Sequence, residues 1–303
     1  MQRILIVGAS SLVGHQLAMR LRERYCVVGT FDQHRPHIDG VPMIRLPLRQ
    51  DTNWPGLLSL LQPSTVFYCA AERDEKRCQQ HPMSALALNA EIPASLARHL
   101  EPTGGRLVYF STAKVFSGET GDYSESDALS PVGHYGHSKA RGEELLSQFS
   151  NVFTIRLGTL YGLGPVPARS LLNQILKDLW AFEPLPLVED ELRSFQSVEW
   201  VAEACERLLV ATPDQAGLYH LPSPAKLSHF SFTQGLARTL GLPEVHLNAV
   251  SAQEFFKNQP AAQARSQDTS LSGAAFEQTF GIRSPTTAKC LKRLAESLKF
   301  GQF

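Results

Sequence analysis

The sequence predicts a doubly wound parallel α/β sheet with a smaller C-terminal lobe, on three observations. Short apolar runs alternate with helix-like segments through the first half of the chain, the first run ends at a glycine turn leading into a helix, and the alternation stops after Gly162. Strands covered by helices on both faces read as near-continuous apolar runs. "RILIV", "CVVGTF", "TVFYCAA", "RLVYFST" and "VFTIRLG" have that character, and "HQLAMRLRER", "LLSLLQ", "SALALNAEIPASLARHL" and "SKARGEELLSQF" read as the helices between them. Residues 1–162 are therefore expected to form the sheet domain. Beyond it, "GLGPVPARS" is a proline and glycine loop, "LLNQILKDLW" a helix with one buried face, and "FEPLPLVEDE" a proline-interrupted stretch. "VEWVAEACERLLVAT" and "GLYHL" read as a helix and a strand that return the chain to the main sheet around 195–222. The rest of 163–303 is expected to form the smaller lobe, with "NQPAAQARSQDTS" an exposed loop.

Composition narrows the function classes. Lys plus Arg and Asp plus Glu both number 29 in the 303 residues, so no bulk basic field points to nucleic acid or an anionic membrane. Cys26, Cys69, Cys78, Cys205 and Cys290 are scattered, odd in number and without a C-x-x-C pair, which fits reduced thiols rather than a disulfide framework or a metal site. The opening apolar run breaks at glycine after four residues, and no run approaches the ~18 residues of a membrane span. A soluble, cytoplasmic protein is expected. The sequence sets no oligomeric state and leaves a homodimer open.

In "ILIVGASSLVGHQLAMRL" Gly8 ends the strand and Gly14 lies in the first turn of the helix. Gly8 permits a sharp turn, while Gly14 allows close packing and brings helix N-terminal amides to a pyrophosphate. Ser11 occupies the place of a middle glycine; it adds a side chain where backbone approach is close, but its hydroxyl is able to bond phosphate. An ordinary strand-to-helix turn would also use these glycines. The context favours the nucleotide: Asp32 ends the second strand about 20 residues on, where a carboxylate accepts ribose hydroxyls and repels a 2′-phosphate. NAD(H) is favoured; Arg35 and Arg73, either of which suits a 2′-phosphate, keep NADP(H) open.

"SPVGHYGHSK" places Tyr135 four residues before Lys139, on one face of a helix. An ammonium there is expected to lower the tyrosine pKa and make the phenol a usable acid or base. Ser111 and Thr112, at the end of an apolar strand, are placed to polarise a carbonyl. His134 and His137 flank Tyr135 and fit either a proton relay or, as the commoner case, exposed loop histidines. Lys114 fits either a substrate phosphate or solvent. Tyr161 and Arg193 fit either a substrate cleft or, respectively, core packing and surface pairing.

The motifs "GASSLVG", "CAAER", "YFSTAKVF", "YSESDALSPVGHYGHSKARGEELL" and "IRLGTLYG" stand in an order and spacing that resembles the extended short-chain dehydrogenase/reductase superfamily. The chain looks most like the dTDP-4-dehydrorhamnose reductase family and the related regulatory β subunit of methionine adenosyltransferase. The resemblance is strong over residues 1–162 and weaker through "VEWVAEACERLL", "GLYHL" and "RSQDTSLSGAAFEQTFGI". It implies a Rossmann domain binding a nicotinamide dinucleotide through Gly8, Ser10, Ser11, Leu12, Val13, Gly14, Asp32, Arg35, Ala70, Ala71, Arg73, Tyr135 and Lys139. It also implies catalysis by Thr112, Tyr135 and Lys139, with Glu143 completing the helix motif. Ala113 and Lys114 stand where related dehydratases carry an Asp-Glu pair, which disfavours dehydration. With Thr159, they also depart from the rhamnose-type pattern at positions that touch substrate. The expected activity is reduction of a 4-keto nucleotide sugar; the resemblance also accommodates an epimerase or a nucleotide-binding regulatory subunit without turnover.

Overall fold

The computed structural model describes residues 1–165, 170–257 and 266–299. The first part runs β1 (Arg3–Val7), α1 (Leu12–Leu21), β2 (Cys26–Phe31), β3 (Met43–Arg45), α2 (Trp54–Leu61), β4 (Thr65–Tyr68), α3 (Glu75–Gln80), α4 (Pro82–Leu86), α5 (Ile92–Leu100), β5 (Arg106–Thr112), α6 (His134–Leu146) and β6 (Val152–Leu157). There follow β7 (Thr159–Tyr161), α7 (Leu171–Ala181), β8 (Leu185–Val188), β9 (Leu192–Ser197), α8 (Val198–Leu208), β10 (Gly217–His220), β11 (Lys226–Ser228), α9 (His229–Leu240), β12 (Leu247–Val250), α10 (Ala252–Phe255), α11 (Ala274–Phe280) and α12 (Thr287–Lys299).

A parallel sheet in the order β3-β2-β1-β4-β5-β6-β10 forms the centre, and its connections reverse direction between β1 and β4. Successive residues of β1 feed opposite faces, as strand geometry requires. Ile4 and Ile6 pack with Leu17, Phe67, Trp200 and Leu208. Leu5 and Val7 pack on the other side with Trp54, Val66, Leu96 and Tyr109. Helix α8 therefore lies on the face that α1 covers, where Arg20 pairs with Glu206 at 2.7 Å.

A second core gathers Tyr161, Leu172, Leu176, Leu179, Phe195, Phe232 and Leu294 from β7, α7, β9, α9 and α12. Its strands form a β11-β9-β7 sheet and a β8-β12 pair. The buried residues of α7, Leu172, Ile175, Leu176 and Leu179, are the apolar face expected from "LLNQILKDLW".

Two local expectations are corrected. "SALALNAEIPASLARHL" is not one uniform helix: a π-helical turn over Ala87–Glu91 separates α4 from α5. Pro93 lacks an amide proton and crowds the carbonyl four residues earlier, that of Asn89. The wider turn leaves this carbonyl to accept the Tyr109 hydroxyl at 2.6 Å. The stretch read as an exposed loop, "NQPAAQARSQDTS", turns inward at its end. Residues 258–265 lie outside the described residues, but Asp268 bridges to Leu192, and Thr269 and Ser270 are buried.

The turn after β1 depends on glycine at both ends. Gly8 has φ +87° and lies against Ala70, whose nitrogen would be 2.8 Å from an added Cβ. A Cβ on Gly14 would overlap the Gly8 carbonyl oxygen. Backbone atoms cannot swing aside as a flexible side chain can, so Gly14→Ala is expected to cost about 1–3 kcal/mol of stability. Denaturant unfolding measures this; an unchanged midpoint would show that the turn relaxes.

Candidate active site

The carboxyl ends of β1, β4 and β5 bring most of the candidate residues to one edge of the sheet, next to the point where strand order reverses. Open α/β sheets form their ligand crevice there. At β1, Gly8 N and Ala9 N donate to Thr30 Oγ1 and Thr30 O, at 3.1 and 2.7 Å, tying the turn to β2. Ser10, Ser11 and Leu12 are half-buried, and Val13 and Gly14 are buried. Ser11 caps α1, its hydroxyl oxygen accepting Gly14 N at 3.0 Å. The Gly14 amide is thereby used within the turn. The Leu12 and Val13 amides remain as first-turn donors, and the Ser11 hydroxyl proton is still available. The geometry fits a dinucleotide phosphate: a tight glycine turn opening directly onto a helix N-terminus.

Asp32 and Arg35 are exposed beyond β2, and Arg45 Nε donates to the Asp32 carbonyl at 3.2 Å. Ala70 and Ala71 follow β4 and are partly buried or exposed. The chain just after them is clamped by buried Asn89, which accepts from Glu72 N at 2.9 Å and donates to Glu72 O at 2.8 Å. The positive charge of Arg73 acts on Tyr135.

Thr112 ends β5, and its hydroxyl oxygen accepts Lys114 N at 3.3 Å in the short 3-10 turn Ala113–Val115. Tyr135 lies in the first turn of α6. Its N-cap, Gly133, has no side chain to offer, so Glu75 reaches across from α3 and accepts His134 N at 2.5 Å and Tyr135 N at 3.3 Å. A carboxylate at that end of a helix is also favoured by the helix dipole. One turn further, Lys139 is buried with its Nζ 3.8 Å from the Tyr109 ring centroid.

The charge states differ from those the spacing predicted. Burial pushes the Tyr135 phenol up to about 12, against lowering by the Arg73 charge and the Thr112 hydroxyl. Burial pulls Lys139 down to about 7, while Glu143 and Cys69 act to raise it. The ammonium sits on Tyr109, and the cation acting on Tyr135 is Arg73; the expected Lys139 effect on the phenol is corrected accordingly.

Below these groups Glu143 receives three bonds: Arg156 Nε to Oε1 at 3.0 Å, Arg156 Nη2 to Oε2 at 2.6 Å, and the Ser111 hydroxyl to Oε1. Ser111 thus turns into the support and leaves Thr112 the hydroxyl at the site. Arg156 also donates from Nη1 to His220 Nε2 at 3.0 Å. Burial and the Arg156 charge hold His220 down to about 4, so Nε2 accepts and Nδ1 donates to the Tyr123 carbonyl, 2.9 Å away. Glu75, Asn89, Arg156 and His220 were not legible in the sequence; only Pro93, after Asn89, carried a local signal.

The remaining candidates separate. Ala113 is buried with Val115, Phe116, Tyr123 and Leu271. Lys114 is exposed, with Nζ 5.8 Å from the Tyr135 ring centroid, and Thr159 is half-buried opposite Phe195 in the smaller sheet. Tyr161 is core, packed on Phe232. Arg193 pairs with Glu191 at 2.9 Å. His134 and His137 are exposed, and all five cysteines are free thiols.

This fold, with Tyr135 and Lys139 one helical turn apart above a strand-end threonine, is that of an extended short-chain dehydrogenase/reductase. More narrowly, the chain belongs to the RmlD substrate binding domain family, whose model matches residues 1–300. It is similar to methionine adenosyltransferase 2 subunit beta of Danio rerio, 26% identical over 259 residues, covering 83% of this chain and 78% of that protein. It is also 26% identical over 291 residues, 93% of each chain, to the Haloferax volcanii protein named "Probable low-salt glycan biosynthesis reductase". In structure it resembles Bacillus anthracis dTDP-4-dehydrorhamnose reductase in complex with NADP, with TM-score 0.83, 23% identity, and coverage of 98% of this chain and 100% of that one. Thermotoga maritima UDP-glucose 4-epimerase with UDP-glucose gives the same TM-score at 15% identity, covering 99% of each chain. No helix among the described residues is long and apolar enough to cross a membrane.

The low pKa of Lys139 has a stability consequence. The folded group releases its proton near pH 7, whereas the unfolded side chain holds it to about 10.5. Between those values the unfolded chain binds more protons, so stability rises with pH, by at most about 1.4 kcal/mol per unit from this one group. Lys139→Met is expected to flatten that rise. Equilibrium unfolding without nucleotide between pH 7 and 9 checks it; equal slopes for both proteins would refute the assignment.

Proposed function

We propose that the protein is a nicotinamide-dinucleotide-dependent oxidoreductase that reduces a keto group of a nucleotide sugar. The observation that carries this reading is the juxtaposition of Thr112, Tyr135 and Lys139 at the sheet edge where the glycine turn presents its amides. The names of the relatives support the same chemistry: a reductase with NADP, an epimerase with UDP-glucose, and a glycan biosynthesis reductase. A bound nicotinamide would supply the hydride for the carbonyl carbon. Thr112 would donate a hydrogen bond to the carbonyl oxygen, and Tyr135 would deliver its proton there, regaining one from solvent. Arg73 would stabilise the phenolate left behind, and Lys139 would hold the nicotinamide ribose. The exposed Asp32 carboxylate favours NAD(H) over NADP(H). The residues after Gly162 would close over the cofactor as a substrate-binding lobe.

A nucleotide-binding regulatory subunit is the second reading, favoured by the similarity to the methionine adenosyltransferase β subunit. Cofactor oxidation with a panel of 4-keto nucleotide sugars separates the two, and interconversion of sugar epimers without net oxidation would mark an epimerase. Weak activity with dTDP-4-dehydrorhamnose and better activity with another 4-keto sugar are expected. Tyr135→Phe should retain dinucleotide affinity in calorimetry but lose roughly 100-fold or more in turnover, the proton donor being removed. Unimpaired turnover would remove Tyr135 from the reaction.

A further inference from the structure

We infer that Glu75 is the positioning residue for Tyr135, and that a capping side chain at position 133 takes over its task when Glu75 is removed. The inference rests on the reading above of Tyr135 as the proton donor, and it adds the group that holds that donor in place.

Tyr135 sits where α6 is held least by packing. Lys139, Gly142, Glu143 and Leu146 are buried, and a Cβ on Gly136 would overlap the Lys114 carbonyl oxygen. His134 is exposed and Tyr135 only half-buried. The amides of a helix's first turn have no intrahelical acceptor, and a turn left in that state frays. A phenol carried on a fraying turn would meet the carbonyl oxygen only part of the time.

Glu75 supplies what the turn lacks. Its Oε1 accepts His134 N at 2.5 Å, and its Oε2 accepts Tyr135 N at 3.3 Å. The backbone behind it is anchored. Asp74 caps α3 by accepting Arg77 N at 2.9 Å, Glu72 pairs with Arg77 at 3.0 Å, and Asn89 bonds both N and O of Glu72. The same Asn89 donates to Ser138 Oγ at 2.9 Å, and that hydroxyl donates to the Tyr135 carbonyl at 2.8 Å. The peptide groups on both sides of Tyr135 are therefore tied to residues 72–75, the amide through Glu75 and the carbonyl through Ser138 and Asn89.

The geometry also shows where a substitute would stand. Gly133 has φ −111° and ψ 164°, an extended conformation open to any residue and ordinary for an N-cap. A Cβ there would lie 2.7 Å from Glu75 Oε1, so the carboxylate fills the space that a capping side chain at 133 would use. Asparagine at 133 and glutamate at 75 compete for one volume, and their effects are therefore not additive.

The test compares the parent, Glu75→Ala, Gly133→Asn and the double variant by turnover, by dinucleotide titration and by amide hydrogen exchange without nucleotide. Glu75 is exposed, so its removal leaves the core intact. Glu75→Ala is expected to lower kcat about tenfold, with KM, dinucleotide affinity and melting temperature close to the parent's. Amide exchange at 134–136 should quicken about tenfold while residues 139–146 keep the parent's rates. Adding Gly133→Asn to Glu75→Ala should recover most of both losses, although the same asparagine brings the parent no gain. Parent-like kcat in Glu75→Ala overturns the inference. A loss shared by kcat, dinucleotide affinity and melting temperature marks a structural role alone and also overturns it, as does a loss that Gly133→Asn leaves unrepaired. If the parent turns over no 4-keto nucleotide sugar, the oxidoreductase reading fails before any variant is made. Exchange then decides whether Glu75 holds the turn that bears Tyr135, and parent-like exchange in Glu75→Ala refutes it.

Discussion

The buried pair Glu143–Arg156 is the constraint on which the site depends. Both side chains are almost wholly removed from solvent, and the arginine reaches the carboxylate through two nitrogens. Burying two charges costs much of what their attraction returns, so the pair adds little to stability by itself. Its value lies in specificity, because neither partner tolerates displacement once desolvated. It fixes α6 against β6, and Ser111 extends the same lock to β5, one residue before Thr112. His220 carries it to β10, and the Tyr123 carbonyl to the loop beyond β5. Thr112 and Tyr135, on different elements, are thereby tied to a single carboxylate.

The upper end of α6 is held by a separate device. Glu75 replaces the missing N-cap, and Ser138 donates to the Tyr135 carbonyl while receiving Asn89 Nδ2 at 2.9 Å. Asn89 also grips Glu72, so the chain after β4 and the helix bearing Tyr135 share one polar anchor. That anchor exists because the π-helical turn before Pro93 leaves the Asn89 carbonyl for Tyr109 and turns its side chain inward. The same Tyr109 ring carries Lys139, so a proline-induced irregularity in one helix contributes to the electrostatics of another.

The loop between β5 and α6 is joined to the C-terminal segment. Tyr123 stacks on Phe116 at 4.2 Å, and its backbone bonds Ser270 and Ser272. Lys226 links Asp122 and Asp268 nearby. A polar stretch close to the chain's end therefore becomes part of the interior, which its composition conceals.

Much of the architecture was legible because its signals are local. A both-face-buried strand must be continuously apolar, a sharp turn at positive φ favours glycine, and residues four apart on a helix share a face. These rules yield the parallel sheet, the turn at Gly8, and the neighbourhood of Tyr135 and Lys139 from "RILIVG" and "HYGHSK" alone. What required the tertiary structure is every property set by groups distant in sequence. Arg73 rather than Lys139 supplies the charge on Tyr135, Ser111 serves Glu143 while Thr112 faces the site, and Glu75 caps a helix 59 residues away. Protonation and hydrogen-bond partnership depend on burial and on through-space distance, and neither is encoded in the spacing of residues along the chain.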